Sequence, residues 1–421
     1  MILSMSSGSL SGLGSTVLVV SFEEARRLVE QHAAGLKPGS TETVDLLFGV
    51  GRVLAEQVLA DRDFPPFARA TRDGYAVRSA DVAQVPARLQ VVGEIKAGDW
   101  PEKCSVGGGQ AVGIMTGAPL PSGADAVVMV EHTALSGDRV EVKRSVGAGE
   151  NFVPHGSEAR AGQALIDRGR RMDHALVAIA AAVGKSRVEV FRKPRVAVLS
   201  TGDELVEIDA KPGPAQIRNS NSYSLAAQIQ TAGGEPVRLA IAPDERVGLR
   251  SLIEEGLRCD LLLLTGGVSM GKYDLVEQVL GDLGAEFYFT GAAIQPGRPV
   301  VFGSCALNGE KYFFGLPGNP VSTMVTFELF ARPMIEALAG MTPRPLIFLR
   351  ARLKSEIRTK TGLKRFLPAV LSGQFENAEV ELVKWQGSGD IAALAGANCY
   401  VVIPPERERI DAGEWVPVLP R

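Results

Sequence analysis

The chain has 421 residues, and its content of 45% hydrophobic and 22% charged residues is typical of a globular protein. A net charge of −3 does not give the basic field of duplex-binding proteins, and no apolar run approaches the ~20 residues that span a bilayer. The four scattered cysteines include no CxxC pair, which argues against a structural zinc site or a disulfide framework and favours a reducing, cytoplasmic compartment.

The first half of the chain is predicted to hold a discontinuous domain with a second domain inserted in it. Residues 1–20 are rich in serine and glycine and are expected to form a flexible tail. Ser21, with Glu24 three residues later, is a capping box that predicts the first helix, and a second helix is expected at 173–183. The stretch between the two helices has short valine-rich runs broken by glycine and proline, which indicate β structure.

The second half begins with alternating strand and helix patterns, which predict a parallel sheet with helices on both faces. After residue 342 the segments become short and alternating, as in a small β-barrel or sandwich. The fold class is therefore multidomain α/β. In chain order, the predicted ranges are a tail (1–20), a discontinuous N-terminal domain (21–60 and 157–192), an inserted β-rich domain (61–156), a doubly wound α/β domain (193–342) and a small C-terminal β-barrel-like domain (343–421).

Polar loops follow the predicted strands of the α/β domain. Because ligands of such sheets bind at the carboxyl ends of the strands, we expect these loops to converge on one site. The loops are 200–204, 242–245, 266–274, 295–299 and 316–320.

The glycine-rich loop 266–274 leads from four leucines into a helix, so its backbone N–H groups can face an anion. Many such turns are only tight connections, with Asp274 as an ordinary helix cap. Asp203, Glu204, Asp244 and Asp274 all lie in loops of the same sheet edge. Each alone is explained as a solvated acid, but together they are suited to a hydrated Mg²⁺ ion.

Positive charge for an oxyanion is available from Lys272, Arg298 and Arg344. The turn 317–320 has a proline at each end, which makes it rigid and suits it to a binding site. No P-loop, GxGxxG or GxSxG pattern occurs, and the four histidines lack ligand spacing. These absences argue against an NTPase, a dehydrogenase, a serine hydrolase and a zinc enzyme.

In this order, the motifs resemble the molybdopterin molybdenumtransferase family, which contains the MoeA-like proteins and the C-terminal domain of gephyrin. Residues 72–77 (RDGYAV) look like the family's DGYA segment, and 113–118 (GIMTGA) with 123–128 (GADAVV) match its inserted domain. The loops 200–204, 266–274 and 315–320 match its pterin-binding domain. The resemblance extends from about residue 21 to the C-terminus.

The resemblance implies a homodimeric enzyme that uses Mg²⁺ and transfers molybdate onto the dithiolene of adenylylated molybdopterin, with release of AMP. In this family the first half of one chain faces the α/β domain of its partner, so the site is shared. The substrates are small molecules. We expect no nucleic-acid or membrane partner, and at most transient contact with other enzymes of cofactor synthesis.

Motif matching carries over Asp73, Thr116, Asp244 and Asp274 as catalytic residues, and Glu204 with Asp274 as Mg²⁺ ligands. The residues expected to bind the pterin substrate are Thr201, Gly202, Glu204, Gly266, Gly267, Ser269, Gly271, Pro296, Gly297, Arg298, Pro317, Gly318, Asn319, Pro320 and Ser388.

This chain departs from its relatives at positions that concern the oxyanion. Gln295 and Gly291 stand where relatives often have lysine, so a cationic contact is missing or is supplied elsewhere, for example by Arg298. Glu158 stands where aspartate is frequent, and Arg72 replaces a common methionine.

Three other functions fit part of the pattern. An adenylyltransferase of the preceding step has a similar α/β domain but does not need the rest of the chain. A non-catalytic, gephyrin-like scaffold has no reason to retain Asp73, Asp244 and Asp274. A tungstate insertase is not separable by sequence, because the two oxyanions are alike in size and charge.

Overall fold

The computed structural model describes residues 18–267, 275–307 and 309–421. Its first helix begins after Ser21, whose hydroxyl accepts the backbone N–H of Glu24, as the capping box predicts. The buried face of this helix packs against the core of the α/β domain. The first elements are β1 (Val19–Val20), α1 (Phe22–Gly35), β2 (Thr41–Asp45) and β3 (Val58–Leu59).

The next region is β-rich, as its valine-rich runs predict. Six strands form one sheet in the order β8-β5-β7-β6-β10-β9, and separate apolar clusters pack against it. Strand β11 pairs antiparallel with β4, so the last strand of this region in sequence lies beside the first. The strands are β4 (Arg69–Ala70), β5 (Gly74–Val77), β6 (Ala87–Ile95), β7 (Gln110–Ile114), β8 (Ala126–Met129), β9 (Thr133–Ser136), β10 (Arg139–Val142) and β11 (Phe152–Val153).

The chain then returns to its first segments. Strand β13 pairs antiparallel with β2, and β12 pairs antiparallel with β3. In sequence, the two strands of each pair lie on opposite sides of the β-rich region. Helix α2 begins after Asp173, whose carboxylate accepts the N–H of Leu176. The pairings of β13 with β2 and of β12 with β3 join the two segments on either side of the insertion. The exact domain boundaries stay a prediction. The elements are β12 (Ala164–Ile166), α2 (His174–Ala182) and β13 (Arg187–Phe191).

The α/β domain contains a six-stranded sheet in the order β17-β14-β18-β23-β22-β19. Its elements are β14 (Arg195–Ser200), β15 (Leu205–Val206), β16 (Ile217–Arg218), α3 (Ser220–Ala232), β17 (Glu235–Arg238), α4 (Arg246–Gly256), β18 (Leu261–Thr265), α5 (Leu275–Asp282), β19 (Glu286–Phe289), β20 (Gly291–Ala292), β21 (Ile294–Gln295), β22 (Val301–Cys305), β23 (Lys311–Leu316), α6 (Pro320–Thr326), a π-helical turn (Phe327–Ala331) and α7 (Arg332–Leu338).

Helices cover both faces of this sheet, as predicted. One apolar cluster joins the sheet to α1, α3, α6 and α7, and a second joins it to α4 and α5. The expectation that every strand is parallel is wrong for one of them, since β22 runs antiparallel to both of its neighbours, β23 and β19. The short link from β22 to β23 explains this, because a parallel pair needs a long crossover.

The C-terminal strands close into a barrel, because β26 pairs with both β27 and β28, and β24 and β30 complete the ring. Strand β21 of the α/β domain adds to this sheet in parallel with β26, which fixes the barrel beside the central domain. Its elements are β24 (Leu349–Leu353), β25 (Ile357–Arg358), β26 (Lys364–Ser372), β27 (Glu379–Leu382), α8 (Ile391–Ala395), β28 (Cys399–Ile403), β29 (Arg409–Ile410) and β30 (Trp415–Pro420).

Candidate functional site

A pocket of about 750 Å³ opens at the carboxyl ends of strands β14, β18 and β23. All five predicted loops contribute lining residues: three contribute two or more, while 242–245 contributes Asp244 and 295–299 contributes Pro299. The lining residues are Ser200, Thr201, Gly202, Glu204, Leu205, Ile217, Arg218, Asn219, Ser220, Asn221, Asp244, Thr265, Gly266, Gly267, Pro299, Pro317, Gly318, Asn319, Pro320, Gly389 and Ile391.

The first two loops are joined by hydrogen bonds between side chains and backbone. The buried hydroxyl of Thr201 donates to a carboxylate oxygen of Asp244 at 2.7 Å. The backbone N–H of Asp244 in turn donates to Asp203 at 3.2 Å. These contacts hold the exposed carboxylate of Asp244 at the pocket rim, and neither of them is an ion pair.

The start of the glycine-rich loop requires glycine. Gly266 has φ +85°, and a Cβ atom there would lie 2.3 Å from the carbonyl oxygen of Thr201. Gly267 has φ +62°, and its Cβ would lie 2.8 Å from side-chain carbons of Thr201 and Val276. The backbone of this loop therefore approaches its neighbours more closely than a side chain would permit.

The remainder of that loop lies outside the described residues. This concerns the predicted binding residues Ser269 and Gly271, the cation Lys272, and the predicted catalytic and Mg²⁺-binding residue Asp274. Within the described ranges, no group of three or more His, Cys, Asp or Glu side chains has the arrangement of a metal site.

Mg²⁺ takes one or two carboxylates together with water and phosphate oxygens, so a complete protein cage is not required. Glu204 and Asp244 both line the pocket, and neither forms an ion pair with a lysine or arginine of the described residues. The described carboxylates therefore have the oxygen chemistry that fits Mg²⁺.

The hydroxyl of Thr323 contacts two carbonyl oxygens of the turn before α6. The hydroxyl of Thr323 lies 2.5 Å from the carbonyl oxygen of Pro317 and 3.0 Å from that of Asn319. The N–H of Val321 donates to the carbonyl of Ser388, so the predicted residue Ser388 lies next to this turn. Ser388 does not line the pocket itself, whereas Gly389 does.

The loop after β21 contributes less than predicted. Pro296 and Gly297 are buried, and a Cβ on Gly297 would lie 2.3 Å from the side chain of Thr326 in α6. Arg298 is exposed. None of these three residues lines the pocket, and only Pro299 does.

Asp73 and Thr116 form a separate polar pair in the β-rich region and do not line the pocket of their own chain. Pairing of Gly74 with Ile114 brings them together at the ends of β5 and β7. One oxygen of Asp73 accepts both the backbone N–H and the hydroxyl of Thr116, each at 2.7 Å. These two hydrogen bonds lower the pKa of the exposed Asp73 carboxyl, so it is an anion at neutral pH.

Sequence reasoning missed the wall of the pocket formed by the start of α3. The helix begins at Ser220, because Asn219 caps it by accepting the N–H of Ser222. Asn219, Ser220 and Asn221 line the pocket. The Asn-Ser-Asn-Ser run was the available signal, since asparagine and serine favour helix N-termini.

Arg365 is a second residue that the sequence did not reveal. It is only 7% exposed, and burial lowers its pKa. Its guanidinium donates to the carbonyl of Leu363, and it has no carboxylate partner among the described residues. Arg365 pairs in register with Gln295, one of the positions where relatives often carry lysine.

None of the helices in the described part of the chain is long and apolar enough to cross a membrane. Three family models match the chain: the MoeA N-terminal region (domain I and II) at 20–184, a probable molybdopterin binding domain at 197–337, and the MoeA C-terminal region (domain IV) at 350–420. Together they cover most of the sequence.

Curated relatives agree with these models. The molybdopterin molybdenumtransferase of Nostoc sp. is 36% identical over 389 residues, which are 90% of this chain and 88% of that protein. The molybdopterin molybdenumtransferase of Bacillus subtilis is 35% identical over 393 residues, covering 91% and 90%. The crystal structure of the molybdopterin biosynthesis moeA protein from Pyrococcus horikoshii OT3 has a TM-score of 0.77 at 31% identity, with coverage of 96% and 100%. The chain therefore belongs to the molybdopterin molybdenumtransferase family.

Proposed function

We propose that this chain inserts molybdenum in molybdenum-cofactor synthesis, transferring molybdate onto the dithiolene of adenylylated molybdopterin and releasing AMP. The observation that carries this proposal is the open pocket of about 750 Å³ at the strand ends of the α/β domain. Its lining includes Gly266 and Gly267, where a side chain would not fit, and the start of the 13-residue helix α3. It also includes Glu204 and Asp244, which form no ion pair with a lysine or arginine of the described residues.

The chemistry is a ligand exchange coupled to cleavage of the phosphoanhydride. Two Mo–O bonds break as two Mo–S bonds form, and the displaced oxygens leave as water after taking up protons. Water adds to the P–O–P bridge, which gives AMP and the pterin phosphate. The protein has to bind the phosphates, keep the pterin substrate in one orientation and place the oxyanion beside the dithiolene sulfurs.

The phosphate end of the substrate is assigned to the wall formed by Gly266, Gly267 and the start of α3. Backbone N–H groups at a helix N-terminus favour an anion, and the two glycines allow the backbone to approach it. Glu204 and Asp244 are the described residues that would hold Mg²⁺, with Asp274 as the further predicted ligand. When bound, Mg²⁺ supplies charge neutralisation for the phosphates.

The oxyanion is assigned to the region where β21 meets the barrel. Arg365 supplies a buried positive charge there, and it has no carboxylate partner among the described residues. Arg298 is exposed and lies three residues after Gln295, the register partner of Arg365. A buried guanidinium without a counterion favours an anionic ligand, because burial of an unpaired charge is costly. Arg365 thereby offers the cationic contact that Gln295 does not provide.

The active site is assigned to a homodimer, in which Asp73 and Thr116 of one subunit complete the pocket of its partner. Their position supports this proposal, since both are exposed, hydrogen bond to each other and do not line the pocket of their own chain. Asp73 is ionised at neutral pH and so can accept hydrogen bonds from a substrate or from water.

The experiment is to incubate purified protein with adenylylated molybdopterin and Mg²⁺, and to quantify AMP by chromatography. Parallel reactions contain molybdate, tungstate or no oxyanion. AMP release that depends on molybdate is the expected result. Release with tungstate alone would make this chain a tungstate insertase, and tight pterin binding with no release under any condition would indicate a scaffold.

A further inference from the structure

Asn221 lies in the first turn of α3 and lines the pocket. Its side-chain nitrogen donates to the hydroxyl of Thr265 at 3.0 Å and to the carbonyl oxygen of Gly318 at 2.7 Å. Thr265 ends strand β18 immediately before the glycine-rich loop, and Gly318 lies in the turn before α6. One amide group therefore joins three segments of the pocket wall.

The partners of this amide determine its orientation. The carbonyl oxygen of Gly318 only accepts hydrogen bonds, and the hydroxyl of Thr265 already donates to the carbonyl of Pro317 at 3.1 Å. Both hydrogens of the Asn221 amide are thus used by the two loops. Its oxygen is buried and has no donor among the described residues. A buried acceptor in this state disfavours folding, so stability alone does not explain the contact.

The two loops that Asn221 joins are neighbours. A Cβ placed on Gly318 would be in ordinary van der Waals contact with the Cα of Gly266, at 3.5 Å. The Thr323 hydroxyl contacts the same turn through the carbonyl of Pro317. Gly266 and Gly318 both line the pocket, so a substrate that enters it lies against both loops.

We infer that Asn221 is a positioning residue that sets the separation of the Gly266 loop and the turn at Gly318 for the phosphate-bearing end of the adenylylated pterin. The inference rests on the proposed function, because that function names the ligand. Loss of the amide donors affects substrate binding first, since the loops are pre-positioned before binding. The dissociation constant of the substrate is therefore expected to change more than the rate of AMP release at saturation.

The test compares wild-type protein with Asn221→Asp and Asn221→Ser, using adenylylated molybdopterin as the probe. The Asp variant keeps the shape of the side chain, but its carboxylate has no hydrogen to donate and faces the Gly318 carbonyl. We expect its dissociation constant at pH 8 to be about tenfold higher than that of wild type, because a charged oxygen replaces a donor. Gln230→Ala, on the exposed side of the same helix, is the matched control and is expected to bind as wild type does.

Two further readouts separate positioning from a general effect on folding. Burial beside the Gly318 carbonyl should raise the pKa of the new carboxyl, so that it is protonated more often as the pH falls towards 5 and can donate again. The ratio of the Asp-variant and wild-type constants should then fall. In the double variant Asn221→Ser with Thr265→Val, the two losses should be less than multiplicative, because both break one hydrogen-bonded chain.

Equal binding by Asn221→Asp and wild type at pH 8 would overturn the inference, as would a ratio that does not change with pH. Either result leaves the proposed function in place, provided that wild-type protein binds and turns over the substrate. A wild-type protein that binds no adenylylated pterin would overturn the proposed function itself.

Discussion

Arg26 in helix α1 donates a hydrogen bond at 2.5 Å to the carbonyl oxygen of Leu329, in the π-helical turn between α6 and α7. Proline at position 333 has no N–H to offer the carbonyl four residues before it, so Leu329 lacks its usual helical donor. Arg26 is itself buried, although its head group also contacts the half-exposed Glu30. The N-terminal helix thereby supplies a donor to a carbonyl that residue 333 cannot serve.

Arg26→Met is expected to lower the free energy of unfolding by about 1–3 kcal/mol, because a buried carbonyl loses its donor. Urea denaturation followed by circular dichroism measures the change. Arg27→Met, an exposed neighbour on the same helix, should change stability by less than about 0.5 kcal/mol. Adding Pro333→Ala to Arg26→Met should restore part of the loss, since residue 333 then has an N–H for Leu329. An unchanged denaturation midpoint in Arg26→Met would contradict this account.

Thr116→Val is expected to raise the pKa of Asp73. The lowered pKa has two causes, the backbone N–H and the hydroxyl of Thr116, and only the hydroxyl is removed. Titration of the carboxyl ¹³C resonances measures the shift. Asp125, whose pKa is lowered by Ser79, should not change and is the internal control. An unshifted Asp73 would show that the hydroxyl contact is absent in solution.

The sign of this effect determines a pH dependence. Because the pKa of Asp73 is lower in the folded protein, its contribution to stability is present above the unfolded pKa of ~3.9 and is lost as pH falls through the folded value. Catalysis that needs the Asp73 anion should therefore remain unaffected by Asp73 protonation at neutral and mildly acidic pH. In Thr116→Val, an acidic loss of activity should begin at a higher pH than in wild type.

Asp244→Asn is expected to leave the fold intact and to lower kcat/KM by roughly 10- to 100-fold, which corresponds to ~1.5–3 kcal/mol for a lost charged contact. The carboxylate is exposed at the pocket rim, so its removal does not disturb the core. Molybdate-dependent AMP release is the measurement, with the melting temperature as a check on folding. Asp209→Asn, at an exposed position outside the pocket lining, should retain wild-type activity. Full activity in Asp244→Asn would remove Asp244 from the active site.

Gln295→Lys is expected to lower the KM for molybdate, and Arg365→Gln to raise it, each by about tenfold or more from one charged contact. The two residues are register partners in β21 and β26, so both act at the same place. The KM for the adenylylated pterin should change little in either variant. Lys384→Gln, an exposed lysine of the C-terminal domain, is the control for net charge. Equal effects on both substrates would contradict an oxyanion site here.

Mixing the variants Asp73→Ala and Asp244→Ala tests whether the site is shared. Each variant alone should be inactive, because both sites of its dimer lack one residue. Random subunit exchange should recover about a quarter of wild-type activity, since about half of the dimers are mixed and each has one intact site. Recovery after co-refolding is measured as AMP release. No recovery would place both residues in a site within one chain.

The sequence predicts much of the architecture because its patterns are local. The Ser21 capping box, the leucine run before Gly266 and the prolines of the turn at 317–320 each correspond to the element that their pattern predicts. The reversed direction of β22 was missed, because strand direction depends on how a chain segment returns and leaves no periodicity in the residues.

The candidate site was less predictable for a related reason. Asp244 and Thr201 follow buried strands, which is a signal that sequence carries. The contact of Asn221 with Gly318 joins residues 97 positions apart, and the pairing of Gln295 with Arg365 joins two different domains. Such long-range contacts depend on tertiary packing. A motif search therefore found the loops of the site but did not find Asn221 or Arg365.

The most direct test of the central claim is the stoichiometry of a single turnover. Wild-type protein is loaded with adenylylated molybdopterin, supplied with Mg²⁺ and molybdate, and freed of unbound oxyanion. Released AMP and pterin-bound molybdenum are then quantified from the same sample. We expect one molybdenum retained on the pterin for each AMP released, with both absent when molybdate is omitted. AMP release without retained molybdenum would contradict it, because the chain would then be a hydrolase of the adenylylated pterin.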